Sequence, residues 1–145
     1  MSDGPGANLG LLLFIPYRAM ESAVLEEVRR QGFEMPINQA RVFQRIGPAG
    51  SRLGELAEAS QVSKQTIGSI VDQLESAGYV ERVPDPDDAR ARLVVVAERG
   101  RQAIEAGLPV LHQVEARWRE HLGVAKYEQL RRILADLVEI TDPFA

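Results

Sequence analysis

The stretch that most constrains this chain is residues 51 to 97, SRLGELAEASQVSKQTIGSIVDQLESAGYVERVPDPDDARARLVVVA. It reads as two short helices, a tight turn and a β-hairpin. Leu53, Leu56 and Ala57 stand at i, i+3 and i+4, the spacing of a half-buried helix. Gln61 and Val62 make a short connection, and Ser63 is placed to cap a second helix, since its hydroxyl can accept a free first-turn N–H. That helix carries Ile67, Ile70, Val71 and Leu74 on one face. Its opposite face holds Gln65, Ser69, Asp72 and Ser76. Gly78 falls where a left-handed C-cap is needed. Val80 to Val83 and Leu93 to Ala97 read as two strands around the turn PDPDDAR.

Helix, short turn, helix and hairpin is the layout of a winged helix-turn-helix. The expected fold class is therefore mainly α, with a small antiparallel β-wing and further helices at both ends. Residues 1 to 8, MSDGPGAN, are expected to form a frayed terminus. A helix from about Leu9 to Gln31 follows, capped by Asn8 and ended by Gly32, with a kink or break at Pro16. Pro36 opens a helix through Ile37, Val42, Phe43 and Ile46. After the hairpin, a long helix spans about Glu98 to Leu122, with a bend expected at Gly107 and Pro109, and a last one runs from about Ala125 to Ile140. The division is then 1–35 for the terminal tail and first helix, 36–97 for the winged lobe, and 98–145 for the long and last helices.

The terminal helices carry more apolar surface than one winged helix can cover. Leu11, Leu12, Phe14 and Ile15 at one end and Leu130, Leu134, Leu137 and Val138 at the other are the candidate dimerisation residues of a homodimer. Folding back within one chain is the alternative.

Charge neither demands nor forbids a nucleic-acid partner. The net charge is −4, and residues 51 to 97 are themselves acidic. Overall charge governs long-range attraction, while binding depends on which face the basic groups occupy. With no cysteine there is neither a disulfide nor a thiol for metal binding. No apolar run reaches membrane-spanning length and no leader is evident, so a cytoplasmic protein without a membrane partner is expected. His112 and His121 are nine residues apart on one helix, which is no metal-ligand spacing. A phosphate loop and a nucleophile elbow are both missing, so neither an enzyme, a metal site nor a cofactor is expected.

The run ELAEAS at 55 to 60, VSKQTIGSIVDQLESAGYVERVPDPDDAR at 62 to 90 and ERGR at 98 to 101 resembles the MarR family of bacterial transcriptional regulators. The resemblance implies a homodimer built from interleaved terminal helices, bound to double-stranded DNA at a pseudo-palindromic operator, most often as a repressor. The second helix of the motif is then the one presented to the major groove. Ser63, Lys64, Gln65, Thr66 and Ser69 are its candidate contacts: Gln65 suits an adenine edge, Lys64 a phosphate, and Ser69 several bases or a phosphate. The resemblance places Arg90 at the wing tip, for the adjacent minor groove, with Arg92 nearby. Asp88 is a candidate partner for an arginine that holds the turn. The chain departs from the pattern at Ser69, Gln73 and Ala89, where family members often carry arginine, and at Ala97, which lacks a capping hydroxyl.

Many members of that family bind a small aromatic acid between the dimerisation helices and the winged lobe. A small aromatic effector would here meet Tyr17, Arg18, Phe43 and His112, with Arg18 or His112 for a carboxylate. For Phe43 and Trp118 the plainer role is core packing. A winged-helix module that binds protein instead of DNA is the competing reading, favoured by the acidic balance and the missing arginines.

Overall fold

Asn8 begins the first helix as expected. Its side-chain oxygen accepts the Leu11 N–H at 2.9 Å, filling one donor that a first helical turn leaves free. The computed structural model describes residues 6–144, so the frayed terminus expected at 1–8 lies, for residues 1–5, outside the described residues. Helix α1 spans Leu9–Arg30 and is continuous through Pro16. A proline removes one i to i−4 hydrogen bond. One lost bond does not interrupt a helix that packs lengthwise on another, and α1 lies along the long helix α5, Glu98–Leu122.

Helix α2, Ile37–Phe43, stops short of Ile46. Its last turn tightens: the Arg45 and Ile46 N–H groups bond to the carbonyls of Val42 and Phe43, three residues back, at 2.9 and 3.2 Å. Helices α3, Leu53–Ser60, and α4, Lys64–Ser76, are joined through Gln61, which sits in the left-handed region at φ 58°. The Val62 N–H reaches back to the Ala57 carbonyl at 3.0 Å, so a non-glycine residue closes this cap. At the far end of α4, Gly78 takes φ 84° and its N–H bonds to the Glu75 carbonyl, while the Tyr79 N–H bonds to that of Leu74. Both bonds are those of a Schellman cap.

Strands β1, Val80–Asp85, and β2, Asp88–Val96, form one antiparallel hairpin with Val80 opposite Val96. The arms are longer than the sequence implies, and only Pro86 and Asp87 remain as the turn. Pro84 is tolerated because both strands of a two-stranded sheet are edges. Ser51 adds a bridge to Val94, at 3.0 and 2.8 Å, which ties the start of the motif to the hairpin.

The core lies where α1, α2, α3, α4, the hairpin and α5 meet. Leu56, Ile67, Ile70, Val71 and Leu74 are all buried there, together with Val42, Tyr79 and Val94. Tyr79 donates its hydroxyl to the Glu34 carbonyl at 2.8 Å, so the ring is buried with its polar tip satisfied. Helix α5 is continuous through Gly107 and Pro109. Gly107 serves the crossing with α1: a Cβ there would lie 2.9 Å from Val24 Cγ1 and 3.1 Å from Val28 Cγ2. The last helix, α6, spans Val124–Thr141 and packs chiefly on α5. Among the described residues no helix is long and apolar enough to cross a membrane.

Candidate nucleic-acid interface

The start of α4 is built for exposure. Ser63 has extended backbone angles, and its Oγ accepts the Thr66 N–H at 3.1 Å while donating to Thr66 Oγ1 at 2.8 Å. The cap leaves the earlier N–H groups of the turn facing outward, at the positive end of the helix dipole. Because Ile67, Ile70, Val71 and Leu74 all turn inward, Lys64, Gln65, Thr66 and Ser69 are left exposed on the opposite face. Gln73, one turn further on, accepts from Gln39 Nε2 of α2 at 3.0 Å. That face is a helix surface of amide, hydroxyl and ammonium groups. Such groups can pair with base edges and phosphate oxygens.

The hairpin is braced on both sides. Arg82 of β1 pairs with Asp72 at 2.8 Å and Glu75 at 2.7 Å, which pins the strand to α4. At the tip, Asp85 is buried and holds the turn. One carboxylate oxygen accepts the Asp87 N–H at 2.9 Å, and the other accepts Arg52 Nε at 2.9 Å. The Asp87 N–H and the Arg52 guanidinium together keep the Asp85 carboxyl below the usual carboxylate range. The arginine partner expected of Asp88 thus belongs to Asp85, and Asp88 instead accepts the Arg90 N–H at 3.0 Å. Arg90 and Arg92 are both exposed on β2, where the register shifts and residues 89–91 have no partners on β1. Among the described residues neither they nor Lys64 has an ion-pair partner.

A cavity of about 290 Å3 lies between α1, α2 and α5. Tyr17 and Phe43 are on its wall; Arg18 and His112 are not. His112 faces a separate polar recess between α5 and α6, and Arg18 donates to Ser22 Oγ at 2.6 Å and Glu21 at 3.3 Å. Phe43 is both core and cavity wall, edge-on to Tyr79 with ring centres 6.5 Å apart. Glu21, which no local pattern marks, accepts from Arg41 Nε at 2.9 Å and links α1 to α2. Its hydrogen bonds to Arg41 hold its pKa below the ordinary glutamate value, against the opposing effect of burial.

The terminal apolar residues are only partly covered. Phe14 and Ile15 of α1 are 50% and 56% exposed, and Leu11, Leu12, Leu134, Leu137 and Val138 are similarly open. An apolar groove of about 860 Å3, walled by Leu12, Trp118, Leu130 and Leu134 among others, runs between α1, α5 and α6.

Residues 33–91, the segment from α2 through the hairpin tip, match the model described as MarR family. Over that segment the chain carries the MarR-family pattern. It is 34% identical over 95 residues to the transcriptional activatory protein BadR of Rhodopseudomonas palustris, across 64% of this chain and 52% of BadR. The chain spans about half the length, or less, of the curated relatives it matches, all of them named as transcriptional regulators. Among solved structures, a probable transcriptional regulator from Pseudomonas aeruginosa is 26% identical with a TM-score of 0.65, covering 90% of this chain and 96% of that one. The crystal structure of MarR, 23% identical and covering 97% of this chain and 95% of its own, superposes with a TM-score of 0.76 and carries the same fold.

Proposed function

We propose that the chain is a sequence-specific DNA-binding transcriptional regulator that acts as a homodimer. One observation carries this reading. Of the cations in residues 51 to 97, Arg52 and Arg82 are consumed by carboxylates that brace the hairpin, whereas Lys64, Arg90 and Arg92 stand exposed and unpaired among the described residues. Free cations at a helix N-terminus and a ribbon tip suit a duplex: α4 enters the major groove, and Arg90 reaches the neighbouring minor groove. Residues 36–97 form the DNA-binding lobe. The exposed apolar residues of α1 and α6 pair with those of a second copy, which supplies the surface they lack. Two-fold symmetry then sets half-sites about 10 bp apart on a pseudo-palindromic operator. Occupancy of that operator represses transcription, and a small aromatic effector in the cavity shifts the dimer away from its DNA-binding arrangement.

Fluorescence anisotropy with DNA from the gene's own upstream region, against scrambled DNA at two salt concentrations, tests the reading. The regulator binds the upstream DNA tightly and salt-sensitively. Arg90→Ala weakens binding about equally on all sequences and lowers the salt slope by about one. Gln65→Ala instead relaxes the preference at one base position. An Arg90→Ala variant that binds as tightly as the unmodified protein removes the wing from the interface. Absence of binding at low salt favours a protein-interaction module.

A further inference from the structure

Given that the cavity between α1, α2 and α5 is the effector site proposed above, we propose that it takes a neutral, largely apolar molecule of one or two fused rings and discriminates against carboxylates.

The walls set the chemistry. Apolar groups, among them those of Met20, Val24, Leu25, Met35, Phe43 and Leu108, supply most of the surface. One charged group, Glu21, lines the cavity among the described residues. Its side chain is only 7% exposed, and its hydrogen-bonding capacity is already used. One oxygen accepts from Tyr17 Oη at 3.0 Å and Arg41 Nε at 2.9 Å. The other accepts from Arg18 at 3.3 Å and Arg41 Nη2 at 3.1 Å. The two arginines that neutralise Glu21 do not line the cavity themselves. A ligand carboxylate entering here would leave water for apolar walls, with no free cation lining the cavity to receive it. Burying an unpaired carboxylate is among the costliest transfers in a protein. Glu21 stays ionised at neutral pH, because the Arg41 hydrogen bonds hold its pKa down, and so it keeps Arg41 and Arg18 engaged.

One polar contact remains available. Tyr17 gives its hydroxyl hydrogen to Glu21, so it can only accept from Gln44, whose Nε2 lies 3.1 Å from Tyr17 Oη. That fixes the orientation of the Gln44 amide and leaves its carbonyl free to accept one O–H or N–H from a ligand. Size agrees: a dry cavity of about 150 Å3 holds benzene, and this one measures about 290 Å3. A neutral two-ring alcohol or amine meets both conditions.

The test compares 2-naphthol with 2-naphthoate, one ring system with a neutral or an anionic substituent, by isothermal titration calorimetry on the full chain at neutral pH. Naphthol is expected to bind at least tenfold more tightly than naphthoate. Ala40→Leu, which fills the cavity from α2, should abolish naphthol binding. Glu21→Gln, which releases Arg41 and Arg18 from their anion, should raise naphthoate affinity at least tenfold and reverse or close the gap. Naphthoate binding equal to or tighter than naphthol in the unmodified protein overturns the inference. So does naphthol binding that survives Ala40→Leu, or the failure of both compounds to bind. Anisotropy on the same preparation separates the two claims. Upstream DNA bound with neither compound accepted overturns the inference alone. Naphthol held in the cavity of a protein that ignores DNA supports the inference and overturns the regulator.

Discussion

Gly68 sits in the first half of α4, on the side that we place against DNA, and Gly68→Ala separates the demands of folding from those of binding. A Cβ built at this position meets nothing within 4 Å. Its backbone is ordinary helix, because α4 is continuous from Lys64 to Ser76 and Gly68 is not among the positive-φ glycines. With no clash to offset it, the substitution should deliver the whole propensity difference between alanine and glycine, about 0.5–1 kcal/mol of added stability. For a urea m-value of about 2 kcal/mol/M, the unfolding midpoint rises by about 0.3–0.5 M. Binding should move the other way. A methyl group added to a helix seated in the major groove must be accommodated by withdrawing the helix. Overpacking a close contact costs about 1–3 kcal/mol, so affinity for upstream DNA should fall about fivefold or more. Urea unfolding followed by circular dichroism and anisotropy with operator DNA measure the two effects on one preparation. A stability that stays level or falls would mean that α4 is not a relaxed helix at Gly68. A gain in stability with unchanged DNA affinity would mean that this part of α4 does not approach DNA.

Gly100 is the opposite case, because an added Cβ would overlap the Tyr79 carbonyl oxygen, which already accepts the Ala97 N–H at 3.0 Å; Gly100→Ala should cost about 2–3 kcal/mol by the same urea assay. Gln61→Gly should stabilise by about 0.5–1 kcal/mol, since the left-handed backbone there is strained for any residue with a Cβ, although the Gln61 Nε2 bond to the Glu58 carbonyl at 2.7 Å is lost. In acid, the pKa values of Asp85 and Asp142 are lowered in the folded chain, chiefly by the Asp87 N–H and by Arg45 respectively. Their contribution to stability is therefore complete above the ordinary aspartate value of about 3.9 and is lost as pH falls below it through the folded-state values. Asp85→Asn should flatten that acid limb in a pH series of thermal melts, and an unchanged limb would remove Asp85 from the account.

Most of the α3–α4 unit was legible because its determinants are local. Leu53, Leu56 and Ala57, the Ser63 cap and the Gly78 turn each act within one or two helical turns, and all behave as their spacing implies. The hairpin tip was less legible. Asp-Pro-Asp reads as a loop, but Asp85 is held in the ladder by Arg52, which lies 33 residues earlier in the chain. The same limit applied to the prolines and to Gly107. A break at Pro16 is a sound local expectation, yet α1 runs unbroken along α5, where Gly107 serves as clearance for Val24 and Val28. Tyr17 and Phe43 were placed on the cavity by resemblance to a family. Glu21 was not, since its partner Arg41 is brought to it only by the folding of α2 against α1.

Arg41 and Arg45 also have a consequence for how a binding curve is read. Arg41 in α2 ties to Glu21 of α1, and Arg45, just beyond α2, ties to Asp142 beyond the end of α6 at 2.6 Å. Each is a tether between the helix that leads into the winged lobe and one of the two helices whose apolar faces lie open. Added electrolyte weakens such partly exposed pairs in the free protein just as it weakens contacts to phosphate. The slope of affinity against salt therefore counts more than the phosphates touched: it includes the loosening of two internal tethers that set where the lobe stands. A variant with Arg41 and Arg45 replaced by glutamine would carry the phosphate part of that slope alone.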